Sequence, residues 1–182
     1  MNSEDIYNML ADLRDANKAR QKEWDKGKEI PDWFRVLELK GEVGELCNIV
    51  KKLCRNDLKI RVGIDYQLAK QQLADEIGDV IISLDLITTQ LGLPLFISFE
   101  LFLYNPNPVI NPGVAAAKAF HLVATMVEIH GINLKIKMDR STHSEIVTTL
   151  SVIAWLFDID FIKAVKNKFN KTSEKHGFKT KM

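Results

Sequence analysis

The sequence predicts an all-α fold, an antiparallel helical bundle. Three observations carry that expectation. Apolar residues recur at three- and four-residue steps along most of the chain. In the segment from Asp32 to Arg55 they form a seam with a seven-residue repeat, Val36, Leu39, Val43, Leu46, Val50 and Leu53, the pattern of bundle packing. Strand signals are thin: "NLKIKM" alternates, but it is short and isolated. A length of 182 residues fits one domain.

The elements follow in order. A first helix is expected from Glu4 to Trp24, with Ile6, Met9, Leu10 and Leu13 on one side. "DKGKEIPDW" breaks it, and the second helix runs from Asp32 to Arg55. "NDLKIRVGID" reads as a loop. A third helix, Asp65 to Gln90, carries Leu73, Ile77, Val80, Leu84, Ile87 and Leu91, and "LGLP" ends it. "YNPNPVINPG" is the strongest loop signal in the chain, with three prolines close together. Two further helices are expected at Gly113–His130 and Thr142–Phe157. The last covers Asp160 to Lys175 and stops at His176-Gly177, where glycine suits a C-cap.

Composition bounds the partners. Hydrophobic residues make up 46% and charged residues 27%, ordinary for a globular protein, and a net charge of +1 gives no global field toward nucleic acid or anionic membrane. No apolar run reaches transmembrane length, and the acidic start "MNSEDIYNML" has no signal core, so a cytoplasmic protein is expected. Cys47 and Cys54 sit seven residues apart on one helix, about 10 Å, beyond disulfide reach, and read as free thiols.

The informative residues are acids. Glu38, Glu42 and Glu45 fall beside the seam of the second helix, and Glu76 and Asp79 fall in the same way beside the seam of the third. Glu42/Glu45 and Glu76/Asp79 are both i, i+3 pairs, which places each pair on one helix face. Packed antiparallel, the two helices bring four hard oxygen ligands together, a set suited to Mg²⁺ or Mn²⁺. Without a cation such a cluster is strongly self-repelling. A solvated acidic face is the plain alternative. Gly41, Gly44 and Gly78 lie beside the acids, and mid-helix glycine costs about 1 kcal/mol against alanine. Close helix approach or ligand access accounts for tolerating that cost.

"GEVGEL" followed by "DEIGDVIISL" resembles the paired acidic signature of the MazG-like all-α nucleoside triphosphate pyrophosphohydrolases, a superfamily that includes dimeric dUTPases, dCTP pyrophosphatases and phosphoribosyl-ATP pyrophosphohydrolases. "DIDFIKAVKNKFNKTSEKHGF" resembles the family's last helix, and the resemblance covers residues 18–92 and 157–178. It implies a bundle of that type and Mg²⁺-dependent cleavage between the α and β phosphates. It implies Glu42, Glu45, Glu76 and Asp79 as metal ligands, with Mn²⁺ a possible substitute. Glu45 or the neighbouring Glu38 would act as general base. Lys168, Lys171 and Lys175, on one face of the last helix, are candidates for the triphosphate, and Trp24 for stacking on the base. dUTP, dCTP, a broad range or a modified nucleotide all remain open as substrate. The expected partners are a nucleotide and a second copy of the chain, with no nucleic acid polymer and no membrane.

The chain departs from a compact family member by an insertion spanning residues 94–156, beside the metal-binding helix pair at 32–92. Set against "DEIGD", its "SEIVT" places Glu145-Ile146 on Glu76-Ile77 and Thr148 where Asp79 would be. The expectation is a degenerate second helix pair without a metal site, packed on the first. A non-catalytic helical module that retains a metal or nucleotide site is the alternative function, and a purely structural bundle is a third.

Overall fold

A computed structural model describes residues 3–60, 63–95, 111–125, 127–130, 133–136 and 140–182. Six helices dominate: α1 (Ser3–Asp25), α2 (Asp32–Asp57), α3 (Tyr66–Gln90), α4 (Pro112–Thr125), α5 (Arg140–Leu156) and α6 (Phe161–His176). The all-α expectation is met apart from one antiparallel hairpin, β1 (Val127–His130) with β2 (Asn133–Ile136), registered from Val127 opposite Ile136 to His130 opposite Asn133. The hairpin corrects the helix expected over Gly113–His130, which ends at Thr125. Val127 and Ile129 are β-branched residues in a four-residue strand that pairs with "NLKI", and pairing overrides the local helical pattern. Most of "YNPNPVINPG" lies outside the described residues.

Each long helix starts or stops where its chemistry dictates. Asp65 caps α3 by accepting from the Leu68 N–H, and Asp160 caps α6 by accepting from the Lys163 N–H. Gly177 closes α6 in the left-handed conformation at φ 71°, as expected for a C-cap glycine.

The core is built on α2 and α3. Val36, Leu39, Val43, Leu46, Val50 and Leu53 of the α2 seam are buried, as are Leu73, Ile77, Val80, Leu84 and Ile87 on α3. The pair is antiparallel, since Gln90 at the end of α3 hydrogen-bonds the Asp32 carboxylate and the Ile30 carbonyl at the start of α2. α4 packs on the other side of α2, and α5 packs on α4, with lighter contact to α3 and α6. The helix pair expected within residues 94–156 thus packs on the first pair. Ile146, Leu150 and Ile153 of α5 are fully buried, as are Ile77, Ile81 and Leu84 at the matching positions of α3.

α1 crosses α3 and is held by a polar latch. Buried Asp85 takes Arg14 Nε on one oxygen at 2.6 Å and Asn17 Nδ2 on the other at 2.9 Å. Arg14 also donates to the Leu93 carbonyl and the Thr88 hydroxyl. α6 crosses α3 at Gly78, where an added Cβ would stand 2.5 Å from Lys168 Cβ and 3.1 Å from the Ala164 carbonyl oxygen. Glycine is required there because any side chain would drive the two helices apart. Among the described residues no helix is long and apolar enough to cross a membrane.

Candidate metal centre

The acids beside the two seams converge as their spacing requires. Carboxylate oxygens of Glu42, Glu45 and Glu76 all lie within 4.8 Å of one another. α2 supplies two of them from successive turns, and α3 supplies the third from across the interface. Glu76 Oε2 is buried and has no hydrogen-bond partner among the described residues. A buried acceptor without a donor is costly, and a cation is one group that would satisfy it.

The electrostatics agree with the geometry. Burial, reinforced by the charges of Asp79, Glu45 and Glu76, pushes the Glu42 carboxyl up to about 7. Burial followed by Asp79 and Glu45 does the same to Glu76, also to about 7. Three acids therefore crowd one spot at a real cost in desolvation and repulsion.

Asp79 sits at the edge of this group and is held by Lys168, Nζ to Oδ2 at 2.5 Å. Burial raises the Asp79 carboxyl, opposed by the Lys168 hydrogen bond and charge. Burial pulls the Lys168 ammonium down, but Asp79, Asp75 and Glu76 outweigh it and the net direction is up. Arg20 lies behind them, buried over the Phe169 ring at 3.6 Å and donating to the Phe169 carbonyl. Burial lowers its guanidinium to about 10 against the opposing pull of Asp79.

The remaining sequence candidates are placed as follows. Glu38, one turn before Glu42, is outside the converging trio and is ion-paired with Arg35 at 2.9 Å. Lys171 pairs with Asp75 at 2.5 Å, and Lys175 is exposed in the last turn of α6. Trp24 packs with His176 and Phe178, ring centroids 4.7 and 5.1 Å away, and its rings are half exposed. The three glycines divide. Gly78 seats α6 against α3, whereas an added Cβ at Gly41 or Gly44 would meet nothing within 4 Å, which leaves open space beside the acids. In the inserted pair, Glu145 is ion-paired with Lys118 at 2.5 Å, and Thr148 donates to the Ser144 carbonyl.

Two features escaped sequence reasoning. Asn17 and Arg20 continue the α1 seam of Ile6, Leu10 and Leu13 at three- and four-residue steps, and that intrusion of polar residues on an apolar line was the available signal for buried polar contacts. The pairing of Lys168 with Asp79 was not legible, since it depends on where α6 crosses.

Comparison with protein-family models, with curated proteins and with solved structures returned no match to this chain.

Proposed function

We propose that the protein is a Mg²⁺-dependent nucleotide pyrophosphohydrolase, cleaving a nucleoside triphosphate between its α and β phosphates to the monophosphate and pyrophosphate, in control or house-cleaning of the nucleotide pool. The observation that carries the reading is the convergence of carboxylate oxygens of Glu42, Glu45 and Glu76, with Glu76 Oε2 left unpartnered. The motif resemblance supports it. The donor set fits the ion: all-carboxylate oxygen, on two rigid helices, with open space at Gly41 and Gly44 for water and phosphate.

When bound, Mg²⁺ supplies charge neutralisation on the phosphates and lowers the pKa of a coordinated water. Glu42, Glu45 and Glu76 would hold it, and Asp79, beside Lys168, would complete the set. We assign the general base to Glu38, held by Arg35 one turn along α2 and free of ligand duty, with Glu45 as the second candidate. Lys168 and Lys171, already gathered on the acidic edge of α3, exchange carboxylate partners for phosphate oxygens as the substrate enters. In the helix pair expected within residues 94–156, the position matching Asp79 is Thr148, and Glu145 is ion-paired with Lys118, so the reading places the metal on the first pair.

The test is pyrophosphate release from a panel of deoxynucleoside triphosphates with and without Mg²⁺. Mg²⁺-dependent release that disappears in a folded Glu42→Gln variant is expected. Unchanged turnover in that variant, or no release from any nucleotide, removes the hydrolase reading. In the second case, Mg²⁺ binding that persists would leave a non-catalytic metal-binding module.

A further inference from the structure

A groove of about 520 Å³ lies between α2 and α4. α2 supplies Cys47, Val50, Cys54 and Leu58 to it, and α4 supplies Gly113, Ala116, Ala117 and Phe120. Within each set the spacings are those of one helix face. The two faces run antiparallel: Cys47 Sγ donates to the Ala116 carbonyl at 3.5 Å, and a Cβ on Gly113 would stand 3.7 Å from Cys54 Sγ. The hollow follows from side-chain size. One glycine and two alanines on α4 do not fill the space opposite the thiols. Leu58 and Phe120, at the two ends, stay 68% and 52% exposed. From Cys47 to Leu58 the floor runs roughly 16 Å. Burial pushes both thiols up, so the floor is uncharged.

Two cations edge this floor. Lys51 and Arg55, four residues apart on α2, both line the groove and are exposed. Lys51 Nζ donates to a neutral partner, Asn48 Oδ1, at 2.7 Å, and neither cation has an ion-pair partner among the described residues. At about 100° per residue, Glu42 and Glu45 fall on the opposite side of α2, so the groove is separate from the acidic cluster.

We infer, independently of the hydrolase reading, that this groove binds a free long-chain carboxylate, with its tail along the thiol floor and its head on Lys51 and Arg55. Charge complementarity argues for the head: the Arg55 guanidinium can present paired N–H donors to both carboxylate oxygens, and Lys51 adds a compact positive charge. Size and lining argue for the tail, since a groove of this volume is within the range of small-ligand sites and its walls are apolar. The same lining argues against a nucleotide. Apart from two thiols and the two cations, no lining side chain can donate to or accept from a base edge. A concave groove between two helices also takes one chain, whereas a helix lying on a bilayer presents a continuous apolar face to it. A bound tail would cover the exposed Leu58 and Phe120 side chains.

The two cysteines, the only ones in the chain, are the reporters. Their labelling by a neutral maleimide is followed site by site in the full chain, using peptide mass spectrometry. The probes are dodecanoate, octanoate, butyrate and dodecanol, each below self-association, and phosphatidylglycerol vesicles. Dodecanoate should slow labelling of Cys47 and Cys54 severalfold and saturably. Octanoate should bind more weakly, by up to about fourfold for each methylene lost, and butyrate should protect neither thiol. Dodecanol, without the charge, should bind roughly tenfold more weakly than dodecanoate. Arg55→Glu should abolish that preference for the anion, and Ala117→Phe, at an exposed position, should block both ligands. Each variant tests the site alone if the other fails to fold. Thiols left unprotected by dodecanoate, equal protection by butyrate, dodecanol binding as tightly as dodecanoate, unchanged protection in the folded variants, or protection by vesicles alone would overturn the inference.

Discussion

Replacing Glu42 by glutamine should stabilise the metal-free protein at pH 8 while abolishing its response to Mg²⁺. Folded Glu42 titrates at about 7, above the ordinary carboxyl value of 4.5, because of burial and then the charges of Asp79, Glu45 and Glu76. The sign follows from proton counting. Between pH 4.5 and 7 the folded state binds more protons than the unfolded state, so stability falls as pH rises through that window. At pH 8 the full penalty is present; near pH 5 most of it is absent. One pKa unit is about 1.4 kcal/mol, which sets a ceiling of roughly 3 kcal/mol for Glu42 alone. Solvent screening and the desolvation of the new amide reduce the gain to about 1–2 kcal/mol, or a few degrees to about 8 °C in Tm for a chain of this size. Mg²⁺ at a hundred times its Kd should add about 2.7 kcal/mol to the wild type. The assay is thermal unfolding at pH 5 and pH 8, with and without MgCl₂. A variant that loses Tm equally at both pH values, or a wild type indifferent to both pH and Mg²⁺, refutes the reasoning.

Other predictions follow from the same geometry. Gly78→Ala should cost about 1–3 kcal/mol in chemical denaturation, because its Cβ would collide with Lys168 and the Ala164 carbonyl. Gly44→Ala, with nothing within 4 Å, should gain up to about 1 kcal/mol from helix propensity. Glu38→Gln should lose turnover while Mg²⁺ still raises Tm, whereas Glu45→Gln should lose both; the opposite pattern would exchange base and ligand. Lys168→Gln leaves Asp79 half-buried without its ammonium partner and should cost about 1–2 kcal/mol at pH 8, together with a loss of kcat/KM readable in the pyrophosphate assay.

Local and periodic features were legible in the sequence. The α2 and α3 seams and the Glu42/Glu45 and Glu76 convergence follow from spacing at 3.6 residues per turn, and Gly177 from its place as a C-cap glycine. Features that depend on which distant segments meet were not. The hairpin at Val127–Ile136 depends on two weak strands pairing. Lys168 and Asp79 are each other's ion-pair partner because α6 crosses at Gly78, a pairing that periodicity along one helix does not show. Trp24 meets His176 and Phe178 where the chain folds back beyond α6, a contact between distant segments.

The latch at Asp85 has a consequence for helix register. An apolar stripe alone lets one helix slip along another at little cost, since leucine packs on leucine in many positions. Both Asp85 oxygens are spoken for by Arg14 and Asn17, so a slip of α1 by one turn would strand a fully buried carboxylate. α1 is thereby indexed against α3 like a key in a keyway. Gln21 and Asp25, further along the same helix, inherit that indexing. Loosening the latch should blur the register of α1 against α3 before it unfolds the protein.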